Sequence, residues 1–409
     1  MAAVCLLFGW YFVKWNFATL IAYRLDPANP QMQSIAEWLV TIAPNDPQTH
    51  VIYAAFLERT FDPKDLERSM AEYAAAARLA PDNYIMWLEL AKALDRRGDQ
   101  QASDAAFDRA LSLAPNYSDV QWVAGNAFVR HKQVDKGFAL IGKAADGNPD
   151  YAAAGASLVF QLYDEDPAAV RRYLGDTPAV NAALANMLMS RKRFDEALAA
   201  WRAIPLDVRR SNKEESGVFV TTLIGNKQIR SAATAAADLA DSDDQRPGAG
   251  KIVNGGFESG IKLKDAGPFE WHIGAGEQPQ IGLSDSQKHS GQYGLVLNFN
   301  SFESVGFRQI DETVSVEANR SYVFEAFYKA EMKTNAAFRW EVVDLATSTV
   351  IGKTTDLVNA ADWTPLTFKF TVPAKSDGVS VRLVREGCVG PICPCTGRII
   401  FDDVSLRPE

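Results

Sequence analysis

Three evenly spaced prolines constrain the fold of the first half of this chain more than any other feature. Pro81, Pro115 and Pro149 lie 34 residues apart and follow the similar segments ARLA, LSLA and ADGN. Proline ends a helix because it lacks the backbone N–H group that a helix interior uses. A fixed period of about 20 to 50 residues indicates repeated supersecondary units. The spacing therefore predicts an α-solenoid.

The unit from Asn83 to Asn116 has the clearest internal pattern. Bulky and small residues recur in it at helical spacing, at Trp87, Leu90, Ala91, Leu94, Ser103, Phe107 and Ala110. Small residues let two helices approach closely, while aromatic side chains fill the gaps between neighbouring units. The pattern resembles the tetratricopeptide repeat, a pair of antiparallel helices. We expect such pairs over residues 25–240, with an unrelated helical bundle as the alternative.

This resemblance implies a concave face that is built by the first helix of each pair and holds an extended peptide. The register places the following cationic and amide side chains on that face: Lys92, Arg96, Asn126, Arg130 and Asn186. Such donors suit a peptide backbone or a C-terminal carboxylate. The resemblance thus predicts a protein partner in this groove. The same residue types are also common on a solvated helix face, which is the alternative.

An apolar segment opens the chain at residues 1–24. Its length suits a membrane-spanning helix, which needs about 20 apolar residues. Lys14 opposes insertion, since a lysine near mid-span costs about 2.5–3.5 kcal/mol. We expect a membrane anchor here. A buried helix that caps the solenoid and a removed signal peptide are the alternatives.

The pattern of polar and apolar residues changes after the helical region. The segment DSDDQRPGAG at 241–250 is typical of a linker. Alternating patterns such as SYVFEAFYKA and TPLTFKFTV follow it and indicate strands. We predict about eight strands over residues 251–409, arranged as a β-sandwich of jelly-roll type.

A second resemblance rests on motifs of this C-terminal region. The segments IVNGGFESG, HSGQYGLVL and IIFDDVSL resemble carbohydrate-binding modules related to galactose-binding sandwiches. The resemblance implies a polysaccharide ligand and a structural calcium ion. By motif position, Glu258 and Asp403 would be ligands of that calcium, with Asp402 as a weaker candidate, because calcium prefers oxygen ligands. Backbone N–H groups that cap the same carboxylates are the alternative.

Sugar binding needs aromatic and polar groups on an exposed face. The candidates for glycan binding in this region are Trp271, His272, Phe327, Arg339, Trp363 and Arg382. The alternation predicts an outward face that is charged and carries one aromatic residue, which departs from a glucan-binding cleft. Each tryptophan is also a candidate for the core of a small sandwich.

Three cysteines lie close together in GCVGPICPC, at Cys388, Cys393 and Cys395. We predict a disulfide between Cys388 and Cys395, with Cys393 as the other possible partner of Cys388. Such a bond suits an oxidising compartment. Free thiols are one alternative. A zinc site is another, but zinc takes four ligands, and the nearest histidine in sequence is His289.

Charge and motifs exclude several classes of function. The net charge of −9 argues against nucleic acid as a partner, because phosphate binding needs clustered cations. The glycine-rich segments GAGEQ and GAGK lack the strand–loop–helix frame of a phosphate-binding loop. We expect no enzyme activity and no cofactor other than the calcium.

The two resemblances together predict a non-catalytic adaptor that is tethered to a membrane on its extracytoplasmic side. It would bind a protein partner in the repeat groove and glycan on the sandwich, in surface polysaccharide assembly or export. This role is inferred from the pairing of the two regions. The alternatives are a structural subunit of a larger membrane-associated complex and an accessory binding subunit of a carbohydrate-active enzyme.

Overall fold

A computed structural model of the chain describes residues 2–303, 306–387 and 392–409. Helices come first and strands follow, so the predicted order of a helical region and a β-sandwich is confirmed. The helices are α1 (Ala2–Ala22), α2 (Gln33–Ile42), α3 (Pro47–Glu58), α4 (Pro63–Leu79), α5 (Tyr84–Arg97), α6 (Gln100–Leu113), α7 (Ser118–Arg130), α8 (Val134–Gly147), α9 (Pro149–Leu162), α10 (Pro167–Leu174), α11 (Pro178–Ser190), α12 (Phe194–Ala203), α13 (Leu206–Ser211), α14 (Lys213–Gly225) and α15 (Ile229–Leu239).

The strands lie between His272 and Pro408. They are β1 (His272–Ile273), β2 (Gln280–Ser284), β3 (Gly294–Glu303), β4 (Ile310–Ser315), β5 (Ser321–Thr334), β6 (Ala337–Asp344), β7 (Val350–Lys353), β8 (Ala360–Thr371), β9 (Gly378–Glu386) and β10 (Ile392–Pro408).

The prolines that revealed the period lie where the sequence predicts helix boundaries. Pro81 and Pro115 lie in the turns after α4 and α6. Pro149 follows α8 and is also the first residue of α9, where Asn148 caps the helix by accepting the N–H of Asp150. Proline suits this first position because its N–H group would have no partner within the helix.

Close crossings between helices recur along the first half of the chain. The Ser69 hydroxyl donates to the Ala54 carbonyl at 3.0 Å, and the Ser103 hydroxyl donates to the Ala91 carbonyl at 3.0 Å. A Cβ atom added to Gly125 would lie 2.8 Å from the carbonyl oxygen of a residue on α8. Small residues at these crossings let α3–α4, α5–α6 and α7–α8 pack as similar pairs.

The C-terminal half of α1 packs against the helices that follow it. Ala18 and Ala22 belong to a buried cluster with Leu39 and Phe56. The Thr19 hydroxyl donates to the carboxylate of Asp46, the N-cap of α3, at 2.5 Å. The sequence predicts a membrane anchor at residues 1–24. Among the described residues, however, no helix combines the length and the apolar character that crossing a membrane requires.

The chain divides into two compact units, Met1–Leu184 and Ala185–Glu409. The second unit contains both the last helices and the β-sandwich. In it, the Asp377 carboxylate accepts the backbone N–H groups of Ile229 and Arg230 at the start of α15. A Cβ atom on Gly378 would lie 2.4 Å from the Ile229 side chain. Helix α15 is therefore seated directly on the sandwich, at a position where a larger residue than glycine does not fit.

The sandwich consists of two five-stranded antiparallel sheets. The strand order is β1-β4-β9-β6-β7 in the first sheet and β2-β3-β10-β5-β8 in the second. Residues at every second position of the strands fill the space between the sheets, among them Trp340, Phe324 and Phe401. The intervening positions of each sheet face outward, so the sandwich presents two separate outer faces.

Candidate carbohydrate-binding faces

The six residues predicted to bind glycan lie in three different places. Trp271 is 2% exposed and packs in the core against Phe257 and Trp340. Its indole N–H donates to the Asn254 carbonyl at 3.1 Å. The prediction is wrong for Trp271, because a tryptophan enclosed between the sheets cannot stack on a ligand. The other five residues divide between the two outer faces.

The outer face of the first sheet carries a row of polar side chains, called here the polar row. Its members are direct cross-strand neighbours and belong to five adjacent strands: His272, Asp311, Arg382, Glu341 and Lys353. Directly opposed residues of an antiparallel pair point to the same face. Neighbouring strands are about 4.8 Å apart, so the row extends about 19 Å across the sheet.

Ion pairs fix the centre of the polar row. Glu341 accepts hydrogen bonds from Arg382 at 2.9 Å and from Arg339 at 3.1 Å. Arg339 also pairs with Glu386 and, at 3.2 Å, with Asp356. The hydrogen bond to Glu386 is the largest cause that raises the pKa of Arg339. The side chains of Arg339 and Glu341 are only 11% and 7% exposed, so this network lies recessed in the face.

One donor of the polar row lacks a hydrogen-bond partner among the residues that the structure describes. The Nε atom of Arg382 is buried and makes no hydrogen bond within the described part of the chain. Arg339, Arg382 and His272 were predicted from the sequence, whereas Glu341 and Asp311 were not. The alternation in AAFRWEVV places Glu341 on the same face as Arg339, so that signal was available.

The outer face of the second sheet carries an aromatic cluster, formed by Phe327, His289 and Trp363. The imidazole of His289 stacks on Phe327 with ring centroids 3.8 Å apart and meets Trp363 edge-on at 5.5 Å. The Lys329 ammonium lies over the Trp363 ring, 5.4 Å from its centroid. The structure thus brings two predicted residues together with His289, which the sequence analysis considered only as a distant metal ligand.

Two shallow depressions lie beside the aromatic cluster on the same sheet. The first, of about 540 Å³, is lined by Gln287, Lys329, Glu331, Asn359, Arg398 and Ile400, among others. The second, of about 480 Å³, shares Glu331 and Arg398 with the first and adds Asn298 and Lys333. The shared residues make the two depressions continuous along the sheet.

The carboxylates predicted to bind calcium lie around Gly256. A Cβ atom added to this glycine would be 3.6 Å from Asp403 Oδ1, 3.8 Å from Glu258 Cγ and 3.9 Å from Asp402 Oδ1. Glu258 accepts the Gln292 backbone N–H at 2.8 Å, and Asp402 accepts that of His289 at 2.6 Å. Burial raises the pKa of Asp402. The oxygen-rich set suits calcium by its chemistry.

Backbone donors nevertheless occupy several of these oxygens, as the capping alternative expects. Asp403 accepts from the His289 imidazole at 2.7 Å and from the Ser290 hydroxyl at 2.7 Å. Among the described residues, no group of three or more His, Cys, Asp or Glu side chains is arranged to hold a metal ion. The calcium site stays a prediction.

Residues predicted for the peptide groove are mostly paired within the protein. Arg96 of α5 binds Glu58 of α3 at 2.6 Å, and Arg130 of α7 binds Asp95 of α5 at 2.5 Å. Each arginine therefore ties one helix to the first helix of the preceding pair. Both cations thus neutralise acids of the chain itself, and their place in a peptide groove stays a prediction.

The amide and lysine positions of the predicted groove differ from the arginines. Lys92 pairs with Glu89 of its own helix at 2.6 Å, and Asn126 donates to the Trp122 carbonyl at 2.8 Å. Asn186 belongs to the second compact unit and lines a depression of about 370 Å³ together with Lys192 and Val218.

The predicted disulfide between Cys388 and Cys395 is wrong for Cys395, which is a free, buried thiol. Its side chain is part of the core between the sheets, and burial raises its pKa. Cys388 lies outside the described residues.

Comparison with known proteins supports the carbohydrate-binding module. Residues 249–386 match the family model described as "Carbohydrate binding domain". One similar solved structure, titled "CBM4 structure and function", is 17% identical, with a TM-score of 0.31, and the match covers 39% of this chain and 99% of that one. The CBM22-1 xylan-binding domain from Paenibacillus barcinonensis is 13% identical over 39% of this chain and 96% of that one, with a TM-score of 0.27.

A further similar structure, a crystal structure of MamA, is 14% identical, with a TM-score of 0.27. This match covers 42% of the chain described here and 84% of the MamA chain. The comparison with curated proteins finds no match. The assignment of the helical pairs to the tetratricopeptide family stays a prediction.

Proposed function

We propose that this protein is a non-catalytic scaffold whose β-sandwich binds a neutral oligosaccharide across the polar row. The observation that carries the proposal is the recessed row itself, which lies in the domain that matches a carbohydrate-binding family. The row runs across the strands, so an extended sugar chain can contact several side chains in succession. It offers donors and acceptors side by side, as the hydroxyl groups of a sugar require.

The pairing of charges favours a neutral ligand. Arg339 and Arg382 are already paired with the carboxylates of Glu341, Glu386 and Asp356, so a charged sugar would have to break an ion pair. A hydroxyl group can instead accept from the Arg382 guanidinium, whose side chain is 32% exposed, and donate to a carboxylate oxygen of the row. The network also holds these side chains in place before the ligand arrives, which lowers the entropic cost of binding.

Affinity gel electrophoresis of the full chain tests the proposal, with soluble xylan, β-1,4-galactan and mixed-linkage β-glucan in the gels. We expect at least one of these to retard the protein, and Arg382→Met to remove the retardation. His272→Ala and Lys353→Met change exposed ends of the row and should weaken binding without affecting folding. Lys329→Met, on the opposite face, is the matched control. Absence of retardation in all three gels, or retardation that only Lys329→Met removes, would contradict the proposal.

We infer that the helical region is the scaffold part and holds a protein partner on the face that carries Lys92 and Arg96. Support comes from the regular ion pairs between successive first helices, which keep this face in one shape. In a pull-down with the full chain, Arg96→Ala should lose the partner. Glu58→Gln disrupts the same ion pair but retains the cation, so it should still bind. Equal loss in both variants would mean that only the ion pair matters, and not a contact with a partner.

The proposal also includes a structural calcium ion at Glu258, Asp402 and Asp403, and an extracytoplasmic location. Extracellular modules bind calcium with dissociation constants of about 0.1–1 mM, and polysaccharides are abundant outside the cell. Millimolar calcium should raise the Tm of the full chain, and Glu258→Gln should abolish that rise. An unchanged Tm in calcium would favour the capping of these acids by backbone donors alone.

A further inference from the structure

We propose that the outer face of the second sheet is a second saccharide-binding site, which selects a sugar that carries a carboxylate, such as a hexuronate. The site combines the aromatic cluster with the two depressions beside it. It lies on the sheet opposite the polar row and does not depend on ligand binding there.

The aromatic cluster provides the stacking surface. Trp363 is partly exposed, and His289 contacts it edge-on while stacking on Phe327. The imidazole is held in turn by the Asp403 carboxylate at 2.7 Å. The indole is therefore supported from the side before any ligand binds. A partly exposed aromatic ring of fixed position presents an apolar surface to the C–H face of a pyranose.

Positive charge dominates the depressions. Lys329, Lys333 and Arg398 line them, against the single carboxylate of Glu331. That carboxylate is 84% exposed and 3.7 Å from Arg398, so it neutralises little. Neither lysine has a carboxylate within 4.0 Å among the described residues. The chain as a whole carries a charge of −9, and a local excess of cations on such a protein attracts anionic ligands to this face.

The position of Lys329 links stacking to charge. Its ammonium lies over one face of Trp363, and a sugar that stacks on this face would occupy the same space. A sugar therefore displaces the ammonium from the ring and must offer it another partner. A carboxylate on the sugar gives a charge-assisted hydrogen bond, which is stronger than a bond to a hydroxyl group. The same lysine thus disfavours neutral sugars and favours acidic ones.

The size and the remaining lining fit a short oligosaccharide. Cavities of about 540 and 480 Å³ fall within the range of about 300–1,000 Å³ that is usual for small-ligand sites. Gln287 and Asn298 place side-chain amides in them, and an amide can both donate to and accept from a sugar hydroxyl.

Calorimetric titration of the full chain with trigalacturonate and with its methyl ester tests the proposal, since the ester keeps the sugar rings but removes the charge. We expect trigalacturonate to bind about ten-fold more tightly than the ester. Lys329→Met should weaken trigalacturonate binding about five-fold, and Trp363→Ala should remove it. Raising the salt concentration from about 50 to about 500 mM should also weaken it, because salt screens exposed charges.

Arg382→Met, on the polar row, is the control and should leave trigalacturonate binding unchanged. The proposal would be overturned if the acid and the ester bound equally well, or if trigalacturonate did not bind at all. It would also be overturned if Lys329→Met and Trp363→Ala both bound trigalacturonate as tightly as the parent chain, or if Arg382→Met lost this binding. Neutral polysaccharide binding is measured separately on the same variants. The two faces can therefore fail independently.

Discussion

The two outer faces of the sandwich share one core and use their charges in opposite ways. On the first sheet, Arg339 and Arg382 both pair with Glu341 in a recess. On the second sheet, Lys329 and Lys333 have no carboxylate partner among the described residues, and Lys329 lies against the aromatic cluster. An ion pair within the protein holds its side chains in place, whereas an unpaired cation can attract an anionic ligand. This difference is the reason why we propose a neutral ligand for the first face and an anion for the second.

The largest effect should come from removing the shared core beneath both faces. Trp340 has no exposed surface and contacts Phe324, Phe401 and Trp271. Trp340→Ala should lower the free energy of unfolding by about 3–5 kcal/mol, because it leaves a large cavity. Urea unfolding measures this change. Both faces should lose binding together, and Trp363→Ala, at a partly exposed position, should cost far less stability.

Breaking the paired face should cost less than removing the core. Arg339→Met leaves the buried Glu341 with Arg382 as its remaining partner. Loss of one partner of a buried ion pair typically costs about 3–5 kcal/mol, and the cost is smaller where another partner remains. We therefore expect a loss of about 1–3 kcal/mol in urea unfolding. If Arg339→Met lowered the free energy of unfolding by less than Lys329→Met does, the ion pairs of Arg339 would contribute nothing to stability.

A buried acid behind the first sheet should give this side of the sandwich its own pH dependence. Glu312 is 1% exposed, and burial raises its pKa well above the ordinary value. Its folded-state pKa is therefore above its unfolded-state pKa. The stabilisation from the neutral acid is complete below the unfolded pKa and is lost as pH rises through the folded pKa.

Glu312→Gln cannot ionise and should remove that dependence. At pH 8 we expect the variant to have a Tm about 2–4 °C above that of the parent chain, and at pH 4 the difference should be smaller or reversed. Thermal unfolding followed by circular dichroism at both pH values measures it. The raised pKa of Glu312 would be contradicted if the Tm of the parent chain, relative to that of the variant, did not fall between pH 4 and pH 8.

The smallest effect on stability is expected on the unpaired face. Lys329→Met and Lys333→Met should each change the free energy of unfolding by no more than about 0.5 kcal/mol, since partly or fully exposed side chains without ion pairs contribute little. Urea unfolding checks this, with Arg339→Met as the contrasting variant. A large loss in either lysine variant would mean that these cations have a structural role instead of an available charge.

The order of helices and strands could be predicted because each depends on a short-range pattern. The spacing of Pro81 and Pro115 and the alternation in β5 both reflect local geometry. The sites could be predicted only in part, because cross-strand neighbours are set by register. Arg382 and Glu341 are 41 residues apart in sequence and meet only once β9 and β6 pair.

The fate of the tryptophans shows the same limit. Trp271 directly precedes β1 and Trp363 lies in β8, yet Trp271 is enclosed in the core and Trp363 is partly exposed. Which of them meets solvent depends on the packing of the whole sandwich, and no local pattern separates them. His289 reaches the aromatic cluster from a loop whose path is set by hydrogen bonds to Asp402.

The seat of α15 on the sandwich has a consequence for orientation. Asp377 holds the first amides of the helix, Gly378 leaves no gap beneath Ile229, and Lys227 donates to the Ala346 carbonyl at 2.7 Å. A sugar chain bound across the first sheet would therefore have a fixed orientation relative to the axis of α15. Cutting the chain in the predicted linker would discard this alignment along with the helix, so a fragment intended to preserve the direction of the bound glycan should begin ahead of α12.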